Sequence, residues 1–280
     1  SVFLFKSLRE NKKANAIITQ QKLEVEESRK ELLDSINYAR RIQYALLASN
    51  KLLDTYLKDY FVYFQPKSVV SGDFYWACNT PEGFIYITAD CTGHGVPGAF
   101  MSLLNISKLN QAINENKIYR PDLILNNVRN EIVNALNPEG STEVSRDGMD
   151  AVLCKLDYKN LKLQYASANN TFYIVRNKEV IYCKPDKMPV GVGQDNSAEF
   201  TFNEIQLGKG DIIYTFSDGF ADQFGGPKGK KFKYKQLCEL LVSVSHEPME
   251  TQKAVLENSF KKWQGNLEQI DDVCVLGVRV

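Results

Sequence analysis

The sequence from Phe84 to Ala99 reads FIYITADCTGHGVPGA, and its two halves differ in character. The run Phe84–Ala89 is rich in aromatic and β-branched residues, which is typical of a buried strand. Asp90 closes this run, and a glycine-rich turn then leads into Gly98–Glu115, where we expect a helix. Because aspartate is depleted inside strands, Asp90 marks a strand end, and the backbone of the turn beside it is open to ligands.

Three further aspartates stand at the ends of predicted strands: Asp73 before Phe74–Cys78, Asp218 after Ile212–Phe216, and Asp271 shortly before Val273–Val280. One such carboxylate is an ordinary strand end. Four of them, far apart in sequence, indicate that several strand tips meet at one acidic cluster. Clustered carboxylates repel one another unless a cation lies among them. The sequence therefore predicts a site for a hard divalent ion such as Mg²⁺ or Mn²⁺, which prefers oxygen ligands.

The region beyond Tyr60 predicts an α+β layered domain. Further strands are predicted at Phe61–Gln65, Ala151–Asp157, Leu161–Ala166, Phe172–Arg176, Val180–Cys183 and Glu199–Gln206. The helices come in two pairs, Gly98–Glu115 with Pro121–Leu136 and Tyr234–Val244 with Met249–Trp263. Strands in antiparallel-looking runs and helices in pairs favour sheets sandwiched between helix pairs over a regular βαβ fold.

The region before Asp54 has a different character. From Ala14 to Asp54 there is no glycine or proline, and we expect one long amphipathic helix. Apolar residues recur every seven positions at Ile18, Val25, Leu32, Ala39 and Leu46, whereas Gln21, Ser28 and Ser35 occupy the flanking seam. This pattern is compatible with a parallel dimeric coiled coil or with a helix lying along its own domain. We expect a linker helix over residues 1–55, a homodimer formed through it, and a second domain over residues 60–280.

Composition excludes several classes of function. The chain of 280 residues has 34 basic and 34 acidic side chains, so it lacks the basic field of a nucleic-acid-binding protein. Its six cysteines form no C-x-x-C pair, which favours reduced thiols and a cytoplasmic location. The apolar start, Ser1–Phe5, precedes basic residues, as expected either of an arbitrary starting point or of the cytoplasmic end of a membrane helix. We expect membrane contact only through such a missing segment.

Five motifs occur in an order that resembles a known family: Ser71-Gly72-Asp73-Phe74-Tyr75, the segment Ala89–Ala99, Asp147-Gly148-Met149-Asp150-Ala151, Ser217-Asp218-Gly219 and Asp271-Asp272-Val273. Together they resemble the PPM (type 2C-like) serine/threonine protein phosphatases of the bacterial SpoIIE/RsbU type, from Tyr60 to Val280. The helix that includes residues 35–43 also resembles the linker helix often found ahead of this domain. The resemblance implies a four-layer αββα sandwich and hydrolysis of phosphoserine or phosphothreonine in proteins. In the bacterial branch the substrate is often an anti-sigma-factor antagonist of the STAS type.

The resemblance also implies roles for individual residues. Asp90 would bridge two Mn²⁺ or Mg²⁺ ions, and Asp218 and Asp271 would complete the shell of one of them. Asp73 and the backbone carbonyl of Cys91 would hold the other. A water between two cations about 4 Å apart becomes hydroxide-like near neutral pH and can attack phosphorus in line. Asp90, Asp218 and Asp271 would then be catalytic through that water, with no protein nucleophile.

The sequence departs from the eukaryotic members of the family in two respects. No arginine lies between Arg41 and Arg120, so phosphate binding would rest on metals and backbone amides. Thr92 stands at the place nearest to their histidine, and His94 comes two residues later, where a helix-entry turn residue is the simpler interpretation. The additional aspartates Asp147, Asp150, Asp222 and Asp272 would serve a third metal or hold turns, and we favour the second role for each.

Other functions stay open. A catalytically silent pseudophosphatase acting as a dimeric signalling module would keep the same fold, and another metal-dependent phosphoesterase would use a nucleotide substrate. The glycine-rich turn lacks G-x-x-x-x-G-K and the G-x-G-x-x-G spacing, which disfavours a nucleotide-phosphate loop. The basic run Lys228–Lys235 is either a solvated loop or a contact for an acidic or phosphorylated protein partner.

Overall fold

The structure is a computed structural model that describes residues 2–138, 145–193 and 197–280, with the side chains of residues 2–8, 10, 14 and 16 excluded. The apolar start Ser1–Phe5 lies outside the described side chains, so its interpretation stays a prediction. By its contacts the chain forms two units, of which the first ends at Ile42 and the second runs from Gln43 to Val280.

The first element is a 45-residue helix, α1 (Val2–Leu46). Its apolar side chains at Ile18, Val25 and Leu32 are 49 %, 66 % and 61 % exposed. The prediction of one helix to Asp54 is wrong beyond Leu46, because Ser49 starts a new helix, α2 (Asn50–Tyr56), by accepting a hydrogen bond from the Leu52 N–H. Serine is a favoured N-cap, and its hydroxyl replaces a missing intrahelical acceptor. In the described residues no helix combines the length and the apolar character that crossing a membrane requires.

Two antiparallel sheets follow. The strands of the first are β2 (Phe74–Thr80), β3 (Gly83–Cys91), β4 (Gly148–Asp157), β5 (Lys162–Ala168), β8 (Val190–Gly191) and β9 (Asn203–Gln206). Those of the second are β1 (Asp59–Gln65), β6 (Phe172–Arg176), β7 (Glu179–Cys183), β10 (Ile212–Phe216) and β13 (Val273–Arg279). The strand order is β2-β3-β4-β5-β9 in the first sheet, with β8 paired to β4, and β1-β13-β10-β6-β7 in the second. A short hairpin of β11 (Phe224–Gly225) and β12 (Lys230–Lys231) stands apart.

The helices form the outer layers. They are α3 (Gly95–Asn110) with a π-helical extension (Gln111–Glu115), α4 (Pro121–Leu136), the short α5 (Gly219–Asp222), α6 (Tyr234–Val244) and α7 (Met249–Gln264). Side chains of α3 and α4 pack on the outer face of the first sheet, and those of α6 and α7 pack on the second. Alternation along β3 turns Ile85 and Ile87 toward α3 and α4, whereas Tyr86 faces the core between the sheets.

This arrangement confirms the predicted αββα sandwich behind a long N-terminal helix. The strand predicted over Glu199–Gln206 is shorter, because only Asn203–Gln206 pairs with β5. Between the sheets, the buried hydroxyls of Thr88 on β3 and Thr215 on β10 share a 2.7 Å hydrogen bond. This bond joins the two sheets close to the strand ends that carry Asp90 and Asp218.

Candidate metal centre

Strand register brings the aspartates of each sheet to one edge. In the first sheet Phe74 lies opposite Ala89, which brings Asp73 to the edge where Asp90 stands, and Asp90 itself lies opposite Asp150 on β4. In the second sheet β10 and β13 pair with Phe216 opposite Val275. The chain therefore leaves β10 toward Asp218 at the same end from which it enters β13 after Asp271.

The two edges enclose a cavity of about 270 Å³. Its lining consists of Asp90, Cys91, Thr92, Gly93, His94, Met149, Asp150, Pro189, Asp218 and Asp271. Four of these are aspartates, and no lysine or arginine is among the described lining residues. Of the four aspartates predicted as ligands, three face this cavity, and Asp73 lies behind them with only 1 % of its surface exposed.

Asp73 is a buried carboxylate that is only partly satisfied. The Ser217 hydroxyl hydrogen-bonds it, which lowers its pKa, but burial has the larger effect and raises that pKa well above the usual range. Its Oδ2 atom has no hydrogen-bond partner among the described residues. An unsatisfied buried acceptor of this kind costs about 1–3 kcal/mol, and more when it is charged. A cation beside Oδ2 would remove that cost.

The carboxylates facing the cavity raise one another's pKa. Burial raises the pKa of Asp90 well above its usual range, and the charges of Asp73 and Asp218 raise it further. Burial also raises the pKa of Asp218 to about 6, with further contributions from Asp271 and Asp222, while a hydrogen bond with Asp90 opposes the rise. A cation among these carboxylates would relieve the repulsion that raises their pKa values.

The donor set fits a hard divalent ion. Among the described residues, no three His, Cys, Asp or Glu side chains already converge as ligands around one point. The unpartnered Oδ2 of Asp73, the carboxylates of the cavity and the absence of a compensating basic side chain in its described lining all favour an oxygen-ligated cation.

The glycine-rich turn lines one side of the cavity and packs closely against Gly72 and Gly98. A Cβ on Gly72 or Gly98 would overlap the carbonyl oxygen of Gly93, so these two positions accept only glycine. The Cys91 side chain is buried, and its Sγ accepts a hydrogen bond from Asn105 Nδ2 at 3.6 Å. Burial raises the pKa of this thiol. The Cys91 side chain is therefore a buried thiol and not a thiolate ligand, and the role of its backbone carbonyl stays a prediction.

The additional aspartates have separate partners. Asp272 is buried, and its two carboxylate oxygens accept the Lys67 N–H at 2.7 Å and the Gly72 N–H at 2.8 Å. Asp222 forms an ion pair with a lysine of the β11–β12 hairpin, Asp147 accepts a hydrogen bond from the Ser145 hydroxyl, and Asp150 accepts one from Asn169. Asp150 alone of these four also lines the cavity.

Thr92 and His94 lie at the rim. Thr92 is fixed by two hydrogen bonds to Gly148, whose N–H donates to the hydroxyl oxygen at 3.1 Å and whose carbonyl accepts from the hydroxyl at 3.3 Å. His94 is exposed and occupies the N-cap position of α3 without a side-chain capping bond. Its role stays a prediction.

Gln43 supports the site and was missed by the sequence reasoning. This side chain, at the end of α1, is fully buried. Its Nε2 donates to the Ser71 carbonyl at 2.6 Å and to the Ser102 hydroxyl at 2.8 Å, and its Oε1 accepts the Ser71 N–H at 3.1 Å. It thus ties α1 to the segment before Asp73 and to α3. The available signal was its position on the helix face that continues from Ile36 and Ala39.

Comparison with known protein families finds one family model that matches most of the chain. The family model described as stage II sporulation protein E (SpoIIE) matches residues 80–280. Among curated proteins, no relative matches the chain significantly.

Among solved structures, the SiaA-PP2C domain of Pseudomonas aeruginosa is 29 % identical, with a TM-score of 0.81 over 90 % of this chain and 98 % of that one. The PP2C phosphatase domain of SpoIIE from Bacillus subtilis, solved with a fragment of its regulatory domain, is 19 % identical, with a TM-score of 0.63 over 79 % of this chain and 63 % of that one. RsbX in complex with magnesium is 15 % identical, with a TM-score of 0.53 over 79 % and 94 % of the two chains.

Proposed function

This chain belongs to the SpoIIE family of PP2C-type phosphatases, and from that premise we propose that it hydrolyses phosphoserine or phosphothreonine in a signalling protein, for example a STAS-type anti-sigma-factor antagonist. The observation that carries the proposal is the acidic cavity between the two sheet edges, with the unpartnered Oδ2 of Asp73 behind it. The cavity is open to the surface and lacks a basic side chain in its described lining, so an anionic phosphoryl group would need cations there.

We propose that two Mn²⁺ or Mg²⁺ ions occupy this cavity. Asp90 would contact both, with Asp218 and Asp271 on one side and Asp73 and the Cys91 carbonyl on the other. The magnesium complex named for RsbX supports this choice of metal. When bound, such ions lower the pKa of a nearby water and neutralise charge on a phosphoryl group.

The chain's own groups would position the reactants. The turn from Cys91 to Gly95 exposes backbone at the start of α3, where N–H groups favour an anion. Gly72 and Gly98 allow this turn to pack against the segment before Asp73. Asp272 fixes that same segment from the second sheet through the Gly72 N–H. These contacts do not depend on a metal, and they would hold the proposed ligands of the two sheets in one frame.

Regulation through α1 is part of the proposal, with a linker helix over residues 1–55 and a phosphatase domain over residues 60–280. Gln43 supports it, because this α1 residue hydrogen-bonds both the segment before Asp73 and the α3 residue Ser102. A shift or rotation of α1 at Gln43 would break bonds that position Asp73. A signal arriving along α1 would in this way change the occupancy of the metal site.

The test is hydrolysis of an aryl phosphate and of a phosphoserine peptide with added Mn²⁺, with Asp90→Asn as the control. We expect turnover of both substrates and a loss of about a thousandfold in the variant. Binding of the phosphopeptide without turnover above the Asp90→Asn control would support the pseudophosphatase instead. Hydrolysis of nucleotides but not of the phosphopeptide would support another phosphoesterase.

A further inference from the structure

The segment from Phe224 to Lys235 carries a local positive charge in a chain of zero net charge. It contains five lysines and no acidic residue: Lys228, Lys230, Lys231, Lys233 and Lys235. All five are exposed. Lys231 pairs with Asp222 and Lys235 lies 4.0 Å from Glu239, whereas the other three have no acidic partner among the residues that the structure describes.

This segment, which we name the basic hairpin (Phe224–Lys235), begins shortly after Asp218, a residue that lines the acidic cavity. Helix α5 connects it to Asp218, since the Asp222 N–H donates to the Asp218 carbonyl at 2.9 Å. Lys231 Nζ lies 2.7 Å from Asp222 Oδ2. At the other end of the hairpin, the Tyr234 ring lies 6.1 Å from the ring of Phe216, which ends β10 just before Asp218. Both ends of the hairpin are therefore near the cavity.

Trp263 fixes the base of the hairpin through contacts with Gln223, Gly226 and Phe232. The Gly226 N–H donates to the Trp263 carbonyl at 2.7 Å, and the indole N–H donates to the Gln223 carbonyl at 3.0 Å. The Phe232 ring packs edge-on against the indole at 5.2 Å between centroids. Because the base is ordered, the lysines are presented without the entropy loss of folding a mobile loop on binding.

Lys233 adopts a backbone conformation that favours glycine. Its φ and ψ are 74° and 147°, and its N–H donates to the Ala221 carbonyl at 2.6 Å. A side chain is strained in this region of φ, whereas glycine is not. A lysine therefore stands where glycine would give a more stable backbone, and its exposed charge lies next to the other charges of the hairpin. Strained residues cluster at functional sites, which makes the Lys233 side chain a candidate for a function.

We propose that the basic hairpin is the docking surface for acidic residues that flank the phosphorylated residue of a protein substrate. The proposal rests on the proposed phosphatase function, because the cavity beside the hairpin is where the phosphorylated residue would enter. A protein substrate is favoured over a membrane or a nucleic acid for the same reason. Its acidic flanks would meet the lysines while its phosphoryl group enters the cavity. Charge complementarity at a rim acts mainly on the association rate and is sensitive to salt.

The test uses two synthetic phosphoserine peptides, one flanked by glutamates and its twin flanked by glutamines. With the wild-type chain and Mn²⁺, we expect the glutamate peptide to have a kcat/KM about tenfold higher at low salt, a preference that disappears near 0.5 M salt. Lys228→Glu combined with Lys230→Glu should abolish the preference through KM while turnover of an aryl phosphate stays unchanged. The matched control is Lys178→Glu with Lys209→Glu, because these exposed lysines flank the other end of β10, near Ile212.

Lys233→Gly provides a second variant that does not depend on introducing negative charge. It should raise the Tm by about 2–4 °C, because the strain is relieved, and should still weaken the preference for the glutamate peptide. A purely structural role for Lys233 would raise the Tm and leave the preference intact.

The outcomes separate this proposal from the proposed function. Equal hydrolysis of both peptides by the wild-type chain would overturn the docking surface and leave the phosphatase intact, whereas no hydrolysis of any phosphate compound would overturn the proposed function itself. Two other results would also overturn the docking proposal. In the first, the Lys228→Glu and Lys230→Glu variant loses aryl phosphatase activity together with the preference for the glutamate peptide. In the second, the wild-type chain binds anionic vesicles or DNA more tightly than the glutamate peptide.

Discussion

Replacing Gln43 with methionine should weaken the metal site from a distance. Methionine keeps nearly the same volume and removes three buried hydrogen bonds, of 2.6, 2.8 and 3.1 Å. At about 1 kcal/mol for each bond, the variant should lose ~3 kcal/mol of stability, because both the N–H and the carbonyl of Ser71 lose a partner. For a domain of this size that corresponds to a fall in Tm of roughly 6–12 °C.

Part of this free energy should appear in metal binding, because Ser71 lies two residues before Asp73. If half of the lost free energy reduces the binding of Mn²⁺ by making the segment from Ser71 to Asp73 less well positioned, the apparent Kd for Mn²⁺ rises about tenfold. Calorimetric titration with Mn²⁺ measures this Kd directly, and saturating Mn²⁺ should restore most of the aryl phosphatase activity.

The control for this change is Gln20→Met, at an exposed position of the same helix whose side chain bonds only Glu24 among the described residues. This variant should change neither the Tm nor the Kd measurably. An unchanged Mn²⁺ affinity in a clearly destabilised Gln43→Met protein would refute the link between α1 and the site, and would leave Gln43 a residue of the core alone.

Three further outcomes are expected. The fold raises the pKa of Asp218 from 3.8 to about 6, so the folded chain binds that proton more tightly than the unfolded chain. The free energy of unfolding of the metal-free protein should therefore fall by ~3 kcal/mol as the pH rises from about 4 to about 6. Denaturant unfolding in EDTA should show a steeper fall in the wild type than in Asp218→Asn, which keeps the contributions of Asp73 and Asp90; equal slopes would contradict the assignment. Gly98→Ala should cost roughly 2 kcal/mol or more, seen as a lower Tm, because the new methyl group overlaps the Gly93 carbonyl. Val25→Lys with Leu32→Lys should convert a dimer into a monomer, as measured by light scattering. An unchanged mass would argue against association through α1. Unchanged turnover in the monomer would argue against coupling between α1 and activity.

The sequence was sufficient to predict the strand-end aspartates because their signal is local. An apolar run that ends in aspartate specifies both a strand and its polar tip, and Asp90 illustrates this within a few residues. The order of the motifs then predicted the αββα sandwich, which the sheets and helix pairs confirm. The two-metal ligand set is a different matter, since it was carried over from the family and stays a prediction.

Features that depend on distant partners could not be predicted in the same way. Gln43 meets Ser71 across 28 residues, and Asp272 meets Gly72 across 200. Nothing in the neighbouring sequence states which of Asp271 and Asp272 faces the cavity, because successive residues of an extended chain point to opposite sides. The break of the first helix at Ser49 was local, but the helical character of the residues around it concealed the capping signal.

The hydrogen bond from the Gly72 N–H to Asp272 also has a consequence for biosynthesis. It closes a loop of 200 residues. At about 5–20 residues per second, a ribosome needs roughly 10–40 s to extend the chain from one partner to the other. During that time the nascent chain carries Asp73 and Asp90 first without Asp218 and then, until the end, without Asp271. A chain released before β13 therefore lacks Asp271, and the proposed metal site can be complete only after β13 has been inserted between β1 and β10.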